Sequence, residues 1–271
     1  MKQGKIRALG IDLGTTNSAA AELTWDPASG ERPKIRVLEI EQPTREGSYS
    51  SPLVPSVVAI LPDGQAWVGE GAKRLRAFPV EYGLSFEKNL FYDTKNEMGL
   101  RKTYFRAPEA FNHASKIGGR VLRFIKEEAS KAMAGEADAL SVTVPASFML
   151  NQRRDTLLAA SSAGLDIADG DLLDEPTAAL IDFIMTERVD IASLSQERPV
   201  PCVVFDFGGG TCDVTVVLDG ELPGVVSEGV LVGLLAVVVQ EDFRDVATDT
   251  EPAPDQLEDE IALLIRRSLH P

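Results

Sequence analysis

Blocks of apolar residues along the first part of the chain are short and separated by polar turns. Apolar blocks at 7–13, 18–23 and 35–40 predict three strands. A polar stretch then leads to the apolar block 53–60, which ends at the turn Pro62-Asp63-Gly64-Gln65. We expect a hairpin region with a helix behind it in this part of the chain.

Helical and strand patterns alternate through the rest of the chain. Apolar residues recur at helical spacing in 114–133, and a strand is predicted at 139–145. Helices follow near 150–163 and 176–187, with a short strand at 170–173 between them. The rest of the chain contains a strand-turn-strand unit at 203–216, an apolar segment at 225–239 and a helical segment at 257–269. The alternation of strands with helices predicts an α/β fold. The polar connection 190–201 is a candidate boundary between two lobes.

Composition and charge narrow the possible functions. The chain has 271 residues, 44% of them hydrophobic, which is enough to bury a sizeable core, and its formal net charge of -15 argues against nucleic acid as a partner. An N-terminal signal segment and a long apolar run are both missing from the sequence, so we expect a cytoplasmic protein that does not act on membranes. We expect Cys202 and Cys212 to be reduced thiols. His113 and His270 are isolated in the sequence, so neither a zinc site nor histidine-based catalysis is indicated.

Two glycine-containing turns carry the candidate chemistry. The first turn, residues 12–18, follows an apolar strand and reads Asp-Leu-Gly-Thr-Thr-Asn-Ser; the second turn, residues 206–213, also follows an apolar strand and reads Asp-Phe-Gly-Gly-Gly-Thr-Cys-Asp. Glycine lets backbone N–H groups approach phosphate oxygens closely, and threonine hydroxyls add further donors. Both turns therefore have the composition of phosphate-binding loops.

An aspartate begins each of these turns. Asp12 and Asp206 would repel a bare polyphosphate, so their presence implies a divalent cation between carboxylate and phosphate, and Mg²⁺ takes such partners while keeping several waters. Either turn alone is also compatible with an ordinary hairpin between apolar strands. The two turns together favour a clamp on a magnesium nucleotide.

Further segments make the sequence similar to one protein family. The segments 10–18, 54–59 with 68–73, 142–148, 152–154, 163–165, 174–180 and 203–216 occur in the order found in the ATPase domain of the Hsp70 (DnaK-like) chaperones. That domain belongs to the superfamily of actin, hexokinase and Hsp70. Sugar kinases and actins share the two turns but lack the Val-Pro-Ala-Ser-Phe and Glu-Pro-Thr-Ala-Ala segments. The resemblance covers residues 1 to about 220.

The resemblance implies roles for individual residues. Asp12 and Asp206 would hold the hydrated Mg²⁺, and the phosphates of ATP or ADP would contact Gly14, Thr15, Thr16, Asn17, Gly208, Gly209 and Gly210. The catalytic set would comprise Lys88, Glu175, Thr211 and Asp213, with the two carboxylates positioning or activating water. Lys88 is identified as the catalytic lysine by its spacing from Lys73, the alternative being an ordinary surface lysine. Pro145 and Arg153 resemble the family's relay pair, although a proline at a strand end is also a simple terminator.

The same resemblance implies an actin-like (ribonuclease H-like) ATPase fold with a complete first lobe and a partial second lobe. We expect lobe I at 1–190, with a peripheral subdomain inserted at 41–113, and lobe II at 198–271. After residue 220 the family's Gly-Gly-x-Asp-Phe element is reduced to Asp242-Phe243, and nothing resembles its adenosine loop. The sequence therefore reads as a piece of a longer protein, a shortened relative or a degenerate member.

Three functions remain open from the sequence. The first is an Hsp70-type ATPase domain that binds Mg-ATP and hydrolyses it to drive a chaperone cycle with co-chaperones or client proteins. The second is a non-catalytic nucleotide-binding or interaction module with the same fold. A sugar or acetate kinase of the superfamily is the third.

Overall fold

A computed structural model describes residues 5–133, 135–186, 202–207 and 212–217. The chain divides into two units, Met1–Val239 and Gln240–Pro271, and every described residue lies in the first. The predicted segments at 225–239 and 257–269, and residues 208–211 of the second turn, lie outside the described residues. Among the helices that are described, none combines the length and the apolar character that crossing a membrane requires.

The described elements follow one another in a mixed α/β order. The strands are β1 (Ile6–Asp12), β2 (Asn17–Trp25), β3 (Lys34–Val37), β4 (Ile40–Thr44), β5 (Gly47–Ser51), β6 (Val54–Pro55), β7 (Val58–Ile60), β8 (Ala66–Val68), β9 (Leu90–Phe91), β10 (Ala139–Val144), β11 (Leu172–Asp174), β12 (Cys202–Phe207) and β13 (Cys212–Val217). The helices are α1 (Glu70–Arg76), α2 (Ala114–Ala132), α3 (Leu150–Ser162) and α4 (Glu175–Thr186), with short 3₁₀ helices at Thr94–Glu97, Glu109–Phe111 and Asp169–Asp171.

The main sheet has the strand order β11-β10-β1-β2-β3, with β6 also paired to β2. Strands β1, β10 and β11 run parallel, whereas β2 is antiparallel to β1 and to β3. Parallel strands need long crossovers, and α2 and α3 lie in the connections that supply them. The three parallel strands therefore end at the same edge of the sheet.

Helix α2 carries one apolar face onto this sheet. Ile117, Val121 and Ile125 recur at helical spacing and are buried with Leu9 and Ile11 of β1 in the principal core. At its N-terminus the His113 ring accepts the backbone N–H of Ser115. The sequence-based helix at 114–133 is confirmed within one residue.

A smaller body of strands and one helix precedes α2. Strands β8, β7 and β9 form a three-stranded sheet, β4 pairs with β5, and α1 lies beside them. Sequence patterning treated 41–51 only as a polar stretch, but the structure has the β4–β5 hairpin there. Buried Gln42 explains this hairpin, because its side chain donates to the Leu53 carbonyl at 2.9 Å and accepts the Glu70 N–H at 2.8 Å.

Candidate functional site

The site is built where the parallel strands end. The cross-strand partners there are Asp12 with Thr143 and Val144 with Asp174. Side chains at the carboxyl ends of parallel strands share one edge, which is the usual place for ligands in α/β folds. This edge therefore brings together the first turn and the start of α4 at Glu175.

Asp12 is held by a neighbouring hydroxyl. The Thr143 hydroxyl donates to Asp12 Oδ1 at 2.6 Å, and both residues lie at strand ends. This bond fixes the rotation of the carboxylate. A short hydrogen bond to a carboxylate is the kind of contact that orients a metal ligand.

The first turn folds tightly back on itself at Gly14. A Cβ atom added to Gly14 would lie 1.9 Å from the backbone carbonyl oxygen of Asn17, so any other residue would force the backbone apart. Two buried serines contact the same glycine: the Gly14 N–H donates to Ser18 Oγ at 3.2 Å, and Ser56 Oγ donates to the Gly14 carbonyl at 2.8 Å. Glycine at position 14 therefore allows the backbone on the two sides of the turn to come this close together.

A buried ion pair lies at the beginning of α4. Lys95 Nζ is 2.6 Å from Glu175 Oε1, and the two side chains are only 10% and 16% exposed. The Lys95 ammonium also lies 5.8 Å from the centre of the Phe148 ring. The structure thus joins a lysine to one of the predicted catalytic carboxylates, and that lysine is not Lys88.

Lys95 is presented by a short turn that is fixed at both ends. β9 enters the turn, and Asp93 adopts a left-handed conformation with φ 56° immediately before the 3₁₀ helix Thr94–Glu97. At the exit, the Gly99 N–H donates to Asp155 Oδ2 and the Gly99 carbonyl accepts from Asn151 Nδ2, both at 2.8 Å. Helix α3 therefore holds the exit of the turn.

A second set of contacts supports this turn through Glu97. Lys102 Nζ lies 2.6 Å from both Glu97 and Glu87, and the Tyr104 hydroxyl donates to Glu97 at 2.6 Å. The hydrogen bonds to Glu87 and Glu97 raise the pKa of Lys102. Burial, reinforced by the hydrogen bond to Glu97, raises the pKa of Tyr104 well above its usual range. Both groups consequently keep their protons at neutral pH, and the network stays intact.

Lys88 lies elsewhere, in an exposed turn before β9. Its N–H donates to the Ser85 carbonyl at 3.1 Å, as in an ordinary tight turn, and its side chain faces solvent. Glu87 beside it has a positive φ of 56°. The position corresponds to the surface-lysine alternative that the sequence left open.

The second turn joins β12 to β13. These strands pair antiparallel, with Asp206 opposite Asp213, and the hairpin they form lies against α4. Cross-strand partners share one face of a hairpin, so these two predicted positions occupy one face. Gly208, Gly209, Gly210 and Thr211, which connect the strands, lie outside the described residues.

Arg153 on α3 contacts the residue that precedes Glu175. Its guanidinium donates to Asp174 Oδ1, and the Arg153 side chain is mostly buried. Pro145 follows the last residue of β10. The structure therefore connects Arg153 to the start of α4, while a relay role for Pro145 and Arg153 stays a prediction.

Sequence analysis did not single out Lys95, Thr143 or Ser56, and it included Ser18 only as the last residue of the first turn. A signal for Lys95 was present: the buried Phe91 and Met98 flank it at spacings of four and three residues, which places the lysine inside an apolar pattern. Lys88, by contrast, precedes the apolar pair of β9. Thr143 and Ser56 carried no signal, because their partners are distant in sequence.

Comparisons with known proteins identify the family of this chain. The family model described as "Hsp70 protein" matches residues 8–223. The chain is 36% identical over 214 residues to the chaperone protein DnaK of Methanothermobacter thermautotrophicus, covering 78% of this chain and 31% of that protein. It is 33% identical over 223 residues to DnaK of Nitrosopumilus maritimus, with coverage of 82% and 30%.

A eukaryotic relative gives a similar result. The match to "Heat shock protein SSC3, mitochondrial" of Saccharomyces cerevisiae is 34% identical over 224 residues, covering 77% of this chain and 31% of that protein. The chain thus spans about three tenths of the length of these relatives. Its mixed α/β architecture is that of the actin-like ATPase fold of these chaperones. From the family match and these identities, the chain belongs to the Hsp70 family.

Proposed function

We propose that this chain is an Hsp70-type nucleotide-binding domain that binds Mg-ATP between the first and second turns and hydrolyses it to drive a chaperone cycle. The observation that carries the proposal is the buried Lys95–Glu175 pair at the sheet edge that also bears Asp12. A cation and two carboxylates at one edge supply what phosphoryl transfer to water needs, which is positioning and charge.

In this proposal Lys95 replaces Lys88 as the catalytic lysine. Lys95 is buried beside a predicted catalytic carboxylate, whereas Lys88 is exposed in a turn. An ammonium in a poorly solvated site stabilises charge that develops on the γ-phosphate much better than one in water. Glu175 would then both hold Lys95 in place and orient the attacking water.

The residues fit a hydrated Mg²⁺. Asp12 offers a carboxylate whose orientation is fixed by Thr143. Mg²⁺ retains several waters and takes one or two carboxylates together with substrate phosphates, so Asp12 and Asp206 suffice as protein ligands. The bound ion would offset phosphate charge. The second turn would bind phosphate through Gly208, Gly209, Gly210 and Thr211, and Asp213 would help to orient water.

The rest of the nucleotide contributes less in this proposal. The binding features identified in this chain are the two turns and the aspartates that begin them, so we expect the phosphates and the metal to supply most of the affinity. ATP and GTP should then bind with similar strength. A strong preference for ATP at sub-micromolar concentration would contradict this part of the proposal.

Calorimetric titration tests the proposal directly. Mg-ATP and Mg-ADP are titrated into the wild-type protein, into Asp12→Asn, and into the control Asp166→Asn, which changes an exposed aspartate after α3. We expect magnesium-dependent binding that Asp12→Asn weakens and Asp166→Asn leaves unchanged. Equal affinity in all three proteins would remove the metal role of Asp12.

The second candidate is a nucleotide-binding or interaction module without turnover. The departure from the family after residue 220 favours this alternative. Hydrolysis measured in a single turnover, with protein in excess over ATP, separates the two. Binding without turnover in the longest form of the protein would select the module.

The chaperone cycle and its partners follow only from the family. Co-chaperones and client proteins are therefore part of the proposal, as is a cytoplasmic location, and one relative carries the word mitochondrial in its name. The expectation that neither nucleic acid nor membrane is a partner likewise stays a prediction.

A further inference from the structure

Ser56 reaches the first turn from the segment between β6 and β7. Its backbone N–H donates to the Thr16 carbonyl at 2.8 Å, and its hydroxyl donates to the Gly14 carbonyl at 2.8 Å. The same hydroxyl lies 2.9 Å from the hydroxyl of Ser18. Ser56 and Ser18 are 6% and 1% exposed, so both serine side chains are buried.

The directions of these hydrogen bonds follow by elimination. The Gly14 carbonyl can only accept, so the single proton of Ser56 is committed to it. Ser56 then has no second proton for Ser18, so Ser18 is the donor in the contact between the two hydroxyls, and Ser18 Oγ accepts the Gly14 N–H at 3.2 Å. The bonds form a closed ring that begins at the Gly14 N–H, passes through both serine hydroxyls and returns at the Gly14 carbonyl.

This ring fixes the orientation of a peptide group that would otherwise turn easily. The Gly14 carbonyl and the Thr15 N–H belong to one peptide group, and no cis peptide occurs among the described residues. In a trans peptide the two point in opposite directions. With the carbonyl bound to Ser56, the Thr15 N–H is directed away from Ser56.

The orientation matters for an anion. Glycine has no Cβ to restrict its backbone, so the peptide after Gly14 could rotate and present its carbonyl oxygen in place of an N–H. A carbonyl oxygen repels a phosphate, whereas an N–H binds it. The contacts of Ser56 with the carbonyls of Gly14 and Thr16 keep both oxygens directed at the protein side of the turn.

We infer that Ser56 is a positioning residue for nucleotide binding, which aims the Thr15 N–H at a phosphate through the ring with Gly14 and Ser18. The inference rests on the proposed function, because it assigns the first turn to phosphate. It concerns a residue 40 positions from Thr16, outside the glycine-containing turns themselves.

Three variants test the inference by titration with Mg-ADP. Ser56→Ala removes the hydroxyl, Ser56→Thr restores one, and Ser50→Ala is a matched control at an exposed serine of β5. We expect Ser56→Ala to bind about tenfold more weakly, because a buried carbonyl and hydroxyl lose their partner. Ser56→Thr should bind within about threefold of wild type, and Ser50→Ala should be unchanged.

Turnover kinetics distinguish positioning from a general loss of structure. A ground-state phosphate contact changes KM for Mg-ATP while kcat stays nearly constant. We therefore expect the loss in Ser56→Ala to appear mainly in KM. A fall in kcat with an unchanged KM would overturn the assignment.

Amide hydrogen exchange on the wild-type protein provides a test that needs no variant to fold. The Gly14 amide should be protected with and without nucleotide, because it donates to buried Ser18. The Thr15 amide should become protected only when Mg-ADP is added. A freely exchanging Gly14 amide, or a Thr15 amide that Mg-ADP leaves unchanged at saturation, would overturn the inference.

The outcomes distinguish a failure of this inference from a failure of the proposed function on which it rests. If wild type binds no Mg-ADP, the proposed function fails and the role of Ser56 fails with it. If wild type binds and Ser56→Ala binds equally well, or Ser56→Thr is as weak as Ser56→Ala, only the role of the Ser56 hydroxyl fails.

Discussion

Removing the ammonium of Lys95 should affect both stability and turnover, while removing that of Lys88 should affect neither. The matched variants are Lys95→Ala and Lys88→Ala, seven positions apart in sequence. Lys95 is buried against Glu175, whereas Lys88 is exposed. The comparison therefore asks which lysine belongs to the site.

The expected loss of folding stability in Lys95→Ala follows from the geometry of the Lys95–Glu175 pair. At the 2.6 Å separation of Lys95 Nζ from Glu175 Oε1, an effective dielectric constant of about 20 gives an attraction of about 6 kcal/mol before desolvation is counted. Deleting one partner of a buried pair typically costs about 3–5 kcal/mol, because the remaining charge loses that contact in a poorly solvated place. The side chains retain 10% and 16% exposure, so we expect about 3 kcal/mol for Lys95→Ala. Lys88→Ala should lie within about 0.5 kcal/mol of wild type.

Urea unfolding measures this difference, and a double-mutant cycle isolates the pair. Glu175→Gln and the double variant Lys95→Ala/Glu175→Gln complete the cycle. The double variant should be more stable than the sum of the single losses predicts, because each single variant loses the same Lys95–Glu175 attraction and the sum counts it twice. Single-turnover hydrolysis of ATP on the same proteins should fall in Lys95→Ala and stay at the wild-type rate in Lys88→Ala.

Two results would refute this reasoning. A loss below about 0.5 kcal/mol for Lys95→Ala would mean that the ion pair is not a buried, coupled contact. Loss of hydrolysis in Lys88→Ala, with normal turnover in Lys95→Ala, would instead support Lys88 as the catalytic lysine.

Three further predictions concern the turns around the site. Gly14→Ala should abolish Mg-ADP binding in calorimetry and cost about 1–3 kcal/mol in urea unfolding, because the added Cβ meets the Asn17 carbonyl at 1.9 Å; normal binding would contradict the described turn. Asp93→Val should cost about 1–3 kcal/mol at the left-handed φ of 56°, whereas Asp93→Gly should cost less, and equal unfolding midpoints would exclude that strain. Glu87 and Glu97 raise the pKa of Lys102, so the ion pairs of Lys102 with these two carboxylates should stabilise the fold below about pH 10.4 and be lost as pH rises through the folded-state pKa. In Lys102→Met, the free energy of unfolding should therefore fall less steeply with pH in the alkaline range, and an unchanged slope would contradict this prediction.

The regular elements were predictable because their patterns are local. The helix at 114–133 and the strand at 139–145 appear within one residue of their expected bounds, since burial on one face imposes a periodicity that the sequence must carry. The short strand predicted at 170–173 is instead a 3₁₀ turn followed by β11 at Leu172–Asp174. Element boundaries depend on caps and turns, which the apolar pattern does not encode.

The candidate site could be proposed from the sequence where chemistry and turn composition coincide, as at Asp12 and Gly14. It was not predictable where a residue acts through a partner far along the chain. Lys95 contacts Glu175 across 80 positions, and Thr143 contacts Asp12 across 131. Spacing along one sequence carries no information about such pairs, so counting residues from Lys73 could point to Lys88 but not to Lys95.

Helix α3 holds both members of the buried ion pair, each through a neighbouring residue. Asp155 and Asn151 fix Gly99, four positions after Lys95, and Arg153 fixes Asp174, next to Glu175. Strand β11, which carries Asp174, is also paired through β10 to β1, which carries Asp12. The Glu175 end of the ion pair is therefore fixed to the sheet as well as to α3, whereas the Lys95 end depends on α3 through Gly99. A substitution of Asp155 or Asn151 would therefore loosen the lysine relative to Asp12 while leaving the carboxylate in place.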